Sequence, residues 1–160
     1  MSDIPSWNQE TYAHGYDSAL TQQLHAGRTA AQHAAFFMPY LGPGMRVLDC
    51  GCGSGAITLG LAQAVDPGSV VGIDVAETEI EHARQKGLDE GIDNSPFEVA
   101  NVYSLPFPAC AFDAVFSHNV LEHVAEPHRA LREMARGLKP GGIIGVRETT
   151  SRGPLIAPPD

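Results

Sequence analysis

Apolar residues along this chain fall in short runs, and the runs alternate with amphipathic stretches. Met45–Asp49, Ser69–Asp74, Phe97–Ala100, Phe112–Ser117 and Ile143–Arg147 read as strands. Their near-continuous apolar character predicts burial on both faces of a sheet. Ala56–Val65 carries Ile57, Leu61 and Val65 at spacings of four and reads as a helix. Glu77–Glu90 reads as another, with Ile80, Ala83 and Leu88 turned inward. Pro127–Leu138 reads as a third, with Pro127 in its first turn and Ala130, Leu131, Met134 and Leu138 on its core face. Lys139-Pro140-Gly141-Gly142 ends it. Upstream, residues 28–41 read as a helix with Ala30, Ala34, Phe37, Met38 and Leu41 on one face, stopped by Gly42-Pro43-Gly44.

Strand and helix in alternation predict an α/β fold with a doubly wound, mostly parallel sheet. Such sheets bind ligands beyond the carboxyl ends of the strands, where the strand order reverses. Asp49 and Asp74 end the first two strands and would both stand there.

Between the first strand and its helix lies Asp49-Cys50-Gly51-Cys52-Gly53-Ser54-Gly55. Glycines there allow a tight turn and a close approach of ligand to backbone. The helix start offers free N–H groups beside it. Gly51-Cys52-Gly53-Ser54-Gly55-Ala56 also fits the dinucleotide pattern, and Asp74 lies 23 residues past Gly51, where a ribose of either cofactor type wants a carboxylate. Loop and Asp74 together therefore indicate an adenosine-type cofactor without choosing one. Asp49 tips the choice. A carboxylate inside the loop repels a pyrophosphate, whereas the ammonium and sulfonium of S-adenosylmethionine (SAM) are attracted to it.

Composition narrows the partners. Lys and Arg total 10 against 19 Asp and Glu, a net charge of −9, which argues against a phosphate-neutralising surface and so against nucleic acid. The three cysteines are an odd count, and Cys50 and Cys52 are too close for a disulfide or a zinc knuckle, so free thiols and no metal are expected. No basic and apolar leader opens the chain and no apolar run suits a membrane span, so a cytoplasmic protein is the expectation.

The ordered segments resemble the class I SAM-dependent methyltransferases, and among them the UbiE-like small-molecule enzymes. Val47–Gly55 resembles the family's first motif and Val70–Asp74 its second strand with a ribose-binding acid. Asn101-Val102-Tyr103-Ser104-Leu105-Pro106-Phe107, Phe112–Ser117, Leu121-Glu122-His123-Val124 and Leu138-Lys139-Pro140-Gly141-Gly142 resemble the segments that follow. The resemblance implies a Rossmann-like fold and methyl transfer from SAM to a small-molecule acceptor. It implies that Asp49, Gly51, Cys52 and Gly53 hold the aminoacid end of SAM, and that Asp74 holds the ribose. Val75, Asn101 and Val102 would meet the adenine, and Ser117 and His118 the methionine portion and the acceptor. The family has Asp where this chain has Asn101, which keeps an adenine contact but removes a charge.

His118 is the first candidate for a general base, with His14 on the N-terminal arm the second. Tyr12 and Tyr16 of that arm could face the sulfonium, and Arg28 could pair with the SAM carboxylate. The expected organisation is an arm or lid over 1–27, a SAM-binding domain over 28–150 and a tail over 151–160. The fold's usual last two strands are missing, so the chain reads as a fragment or natural truncation. Its fifth strand is then an apolar edge open to another subunit, a homo-oligomer included. Two rival readings stay open: a truncated or non-catalytic SAM-binding module, and an NAD(P)-dependent oxidoreductase.

Overall fold

A computed structural model of the chain describes residues 27–149. The expected arm, Gly27 apart, and the tail lie outside the described residues, and so do Tyr12, His14 and Tyr16. The strands are β1 (Arg46–Cys50), β2 (Ser69–Asp74), β3 (Phe97–Val99), β4 (Phe112–His118) and β5 (Leu138–Arg147). The helices are α1 (Ala30–His33), α2 (Ala56–Val65), α3 (Glu77–Glu90) and α4 (Pro127–Gly137). The sheet order is β3-β2-β1-β4-β5, with every neighbouring pair parallel. From β1 the chain winds outward through β2 to β3, then returns to the other side of β1 with β4. The reversal between β1 and β4 opens a crevice at their carboxyl ends.

Side-chain alternation assigns the two faces. Val47, Val70, Ala114 and Phe116 pack into the core that also holds Ala34, Phe37, Ile57, Leu61 and Val65. Leu48, Cys50, Val71, Ile73 and Val115 pack into the opposite core, with Ala130 and Met134 of α4. Successive residues of a strand point to opposite faces. Asp49, Asp74 and His118 therefore share the α2 face, and Ser117 belongs to the other.

Three expectations are corrected. Residues 28–41 are not one helix: α1 ends at His33, and a 3-10 turn follows over Met38–Tyr40. Pro39 sits inside that turn and has no N–H to continue an α-helix. The apolar face nevertheless packs, with Ala30, Ala34 and Phe37 buried. Leu88 points to solvent at 76% exposure; the inward stripe of α3 runs Ile80, Ala83, Gly87, and one residue further rotates Leu88 off it. Lys139–Gly142 does not lie outside the fifth strand. Leu138 pairs with Phe112, Ile143 pairs with Ala114, and the segment between bulges out of the ladder.

Candidate functional site

The crevice at the strand ends is lined from four sides: the glycine turn, the end of β2, the stretch after β3 and the turn after β4. Asp49, Gly51, Cys52, Gly53, Asp74, Val75, Asn101, Val102 and His118 all line it. Ser117 does not; it is fully buried on the opposite sheet face, and its hydroxyl has no hydrogen-bond partner among the described residues. Arg28, Tyr103, Asn119, Val120, His123 and Val124 are also part of the wall. The empty space at the crevice is about 1160 Å³, the open solvent at its mouth included.

The glycine turn is held by the strand beside it. Gly51 and Cys52 both donate to the carbonyl of Ile73, at 2.8 and 2.9 Å. Gly51 (φ +73°) and Gly53 (φ +51°) take the left-handed conformation that glycine tolerates. A Cβ on Gly51 would overlap Val120 Cγ2, so the missing side chain makes room for the turn after β4. The N–H of Gly53 donates to Asp74 Oδ2 at 3.0 Å, and Ala76 N–H donates to Asp74 Oδ1 at 3.0 Å. Asp74 thus ties the glycine turn to the start of α3 while keeping lone pairs for a ligand.

Asp49 is buried, and the Thr58 hydroxyl of α2 donates to its Oδ2 at 2.6 Å. Burial above all, and Asp74 beside it, raise its acid to about 7 against the Thr58 bond. Burial also raises Asp74, against the N–H groups of Ala76 and Gly53. A third carboxylate, Glu79, was not singled out by the sequence. It is buried in the first turn of α3, with Oε2 at 3.6 Å from where a Gly53 Cβ would sit. Burial and then Asp74 push its acid up as well. One signal could have found it, because Glu79 lies beside Ile80 and one turn before Ala83, on the inward stripe. The raised acids describe a site that gains by receiving positive charge.

The adenine candidates lie across the crevice. Val75 is 45% exposed, an apolar surface open to a flat ligand, and Val102 is buried beneath the wall. Asn101 Oδ1 accepts the Tyr103 N–H at 2.8 Å, which aims its NH2 group away from that bond. His118 is buried at the end of β4, its ring edge-on to His33 at 5.3 Å between centroids. Among the described residues no group of His, Cys, Asp and Glu could hold a metal, and no helix is long and apolar enough to cross a membrane.

Comparison with known proteins adds to this geometry. Residues 48–146 match a family described as a methyltransferase domain. An uncharacterized methyltransferase of Schizosaccharomyces pombe is 36% identical over 147 residues, 88% of this chain and 52% of that protein. The ubiquinone/menaquinone biosynthesis C-methyltransferase UbiE of Yersinia enterocolitica is 39% identical over 117 residues, 72% of this chain and 46% of that protein. Among solved structures, the [4+2]-cyclase SpnF superposes with a TM-score of 0.62 at 35% identity, covering 79% of this chain and 43% of that one. The chain spans about half the length of the curated relatives it matches.

Proposed function

Because this chain belongs to the class I SAM-dependent methyltransferases, we propose that it carries a methyl group from SAM to a small-molecule acceptor. One observation carries the reading. Asp49 and Asp74, on one sheet face at neighbouring strand ends, flank the glycine turn, and both are buried with raised acids. Burying adjacent carboxylates is costly unless a cation joins them. SAM brings an ammonium and a sulfonium, and a pyrophosphate would be repelled. The donor set therefore fits SAM better than a dinucleotide.

In this reading Asp49, Gly51, Cys52 and Gly53 hold the aminoacid end, Asp74 the ribose hydroxyls, and Val75, Asn101 and Val102 the adenine. When bound, the cofactor supplies an activated methyl group on a good leaving group. The chain's own work is then alignment of the acceptor and exclusion of water. His118 shares the face of Asp49 and would take a proton from an acceptor that arrives protonated. Ser117 is not carried into the site, since strand alternation turns it away. His14 keeps its place as the second candidate base.

The net charge of −9 favours a small neutral or cationic acceptor over nucleic acid. Three free cysteines support a cytoplasmic setting. Among the described residues β5 pairs only with β4, and Ile144 on it is 37% exposed, which supports association along that edge.

Calorimetric titration with SAM, S-adenosylhomocysteine and NAD tests the reading. The first two should bind and NAD should not; tight NAD binding without a response to S-adenosylhomocysteine would sink it. A second reading, a SAM-site chain doing other chemistry, is favoured by the match to a [4+2]-cyclase. SAM binding with no S-adenosylhomocysteine formed across an acceptor panel would support that second reading.

A further inference from the structure

The wall of the crevice opposite the glycine turn is the segment Asn119–Val124, and its shape is set from outside. Asn119 adopts a left-handed backbone, φ +54°, which Asn tolerates better than most residues with a side chain. Its neighbours at the end of β5 hold it there. The N–H of Asn119 donates to the carbonyl of Arg147 at 2.8 Å, and the Thr149 hydroxyl donates to Asn119 Oδ1 at 3.1 Å. Between those two residues stands Glu148. Its Oε1 accepts the N–H of Val120 at 3.2 Å and of Leu121 at 3.1 Å, and its Oε2 accepts the N–H of Glu122 at 3.2 Å. Three successive amides can converge on one carboxylate only when the backbone is coiled into a turn whose open end faces it.

The other side of that turn bears on the cofactor region. Val120 stacks on the glycine turn where a Gly51 Cβ would be, and Asn119, Val120, His123 and Val124 line the crevice. The segment directly follows His118. Leu121 and Val124 of the same segment pack on the core that holds Val102 and Tyr103, so the direct contact with the glycine turn is made by Val120. The chain Glu148, amides 120–122, Val120, Gly51 thus runs from the end of β5 to the glycine turn.

From this geometry we propose that Glu148 is a positioning residue, a latch that fixes the turn after β4 and so shapes the aminoacid and methyl-transfer half of the crevice more than the adenosine half. The proposal rests on the reading of the crevice as a SAM site. Its alternative is a plain cap that adds stability and is blind to which ligand is bound.

The test uses two probes on the full chain. S-adenosylhomocysteine reaches both halves of the site, and 5′-methylthioadenosine lacks the aminoacid end. Glu148→Ala should weaken S-adenosylhomocysteine by about tenfold, the scale of one charge-assisted hydrogen bond, and leave 5′-methylthioadenosine within about twofold. Glu148→Gln keeps an oxygen for the Val120 and Leu121 amides but offers an NH2 to the Glu122 amide, so it should restore most of the lost affinity. Asp74→Ala serves as the control and should weaken both probes. Equal weakening of both probes by Glu148→Ala, or of neither, overturns the latch. If Glu148→Ala does not fold, Glu148→Gln decides: a selective loss for S-adenosylhomocysteine of about two- to threefold supports the latch, and an equal effect on the probes overturns it. Failure of the wild-type chain to bind either probe overturns the SAM reading instead, which keeps the two failures apart.

Discussion

The two walls of the crevice are built in opposite ways. On the β1–β2 side, both acids are tied within the unit that runs from β1 to the start of α3: Asp49 to Thr58, nine residues on, and Asp74 to Ala76, two residues on, and to Gly53, 21 residues back. On the β4–β5 side, the turn after His118 is held by Arg147, Glu148 and Thr149, from 26 to 30 residues downstream. The first wall is held within consecutive elements, β1, the glycine turn, α2 and β2, which carry its chemistry and its geometry together. The second is an irregular turn that takes its shape from a distant strand end. A wall of the first kind can be kept while the second varies, and the second is where the two proposed readings, methyl transfer or other chemistry, would diverge.

The sharpest way to break this contrast is Asp74→Ala. It removes the acceptor for two backbone amides and the proposed ribose ligand together. Charge-assisted hydrogen bonds of roughly 1.5–3 kcal/mol predict about 10- to 100-fold weaker SAM binding by calorimetry. If the first wall is self-contained, circular dichroism of the variant should stay that of the folded chain. An unchanged affinity would remove Asp74 from the ribose role.

The same contrast explains what could be read ahead of the structure. Asp49, Asp74 and the glycine turn were legible because a strand end, a turn and a helix start lie in consecutive residues. The elements α2, β2 and α3 were legible with their bounds, since caps and apolar period agree there. Ser117 was misplaced for want of one parity count: Val47, Asp49, Phe116 and His118 share a face, and Ser117 cannot. Glu79 was hidden among Glu77 and Glu81, three like residues of which helical rotation buries one. Glu148 carries no local signal at all. Its partners are amides, which look alike in any sequence, and only the parallel pairing of β4 with β5 brings them together.

A smaller effect, in pH, probes the first wall from within. The Asp49 acid is raised from 3.8 to about 7, with Thr58 and Asp74 beside it. A raised carboxyl favours the neutral form in the folded state. Its stabilising contribution is therefore full below about 4 and is lost as pH rises through about 7. The ligand-free chain should lose thermal stability across that window. Binding of a cationic aminoacid end asks for the ionised form, so it has the opposite slope. SAM affinity should rise by nearly tenfold between about pH 6 and pH 7.5, following the ionised fraction. Asp49→Asn should flatten both slopes. A wild-type affinity that does not change over this range would take Asp49 out of the ammonium role.

The smallest effect tests where the walls meet. Gly51 and Val120 touch across the crevice, and a Cβ on Gly51 would overlap Val120 Cγ2. Gly51→Ala meets two separate penalties. The left-handed backbone, φ +73°, costs about 1 kcal/mol whatever stands opposite. The overlap costs a further amount only while Val120 is in place. Val120→Ala should therefore relieve the second penalty and leave the first. A double-mutant cycle on chemical denaturation should return a coupling of about 1 kcal/mol, against the few tenths expected of sites that do not touch. The cycle also reads the latch. With Glu148→Ala in the background, the turn after β4 can move away from the glycine turn, the overlap is relieved by the backbone instead of by truncation, and the coupling should fall toward zero. A coupling that stays near its full value would mean that Val120 is held by the sheet itself, and that the second wall is as self-contained as the first.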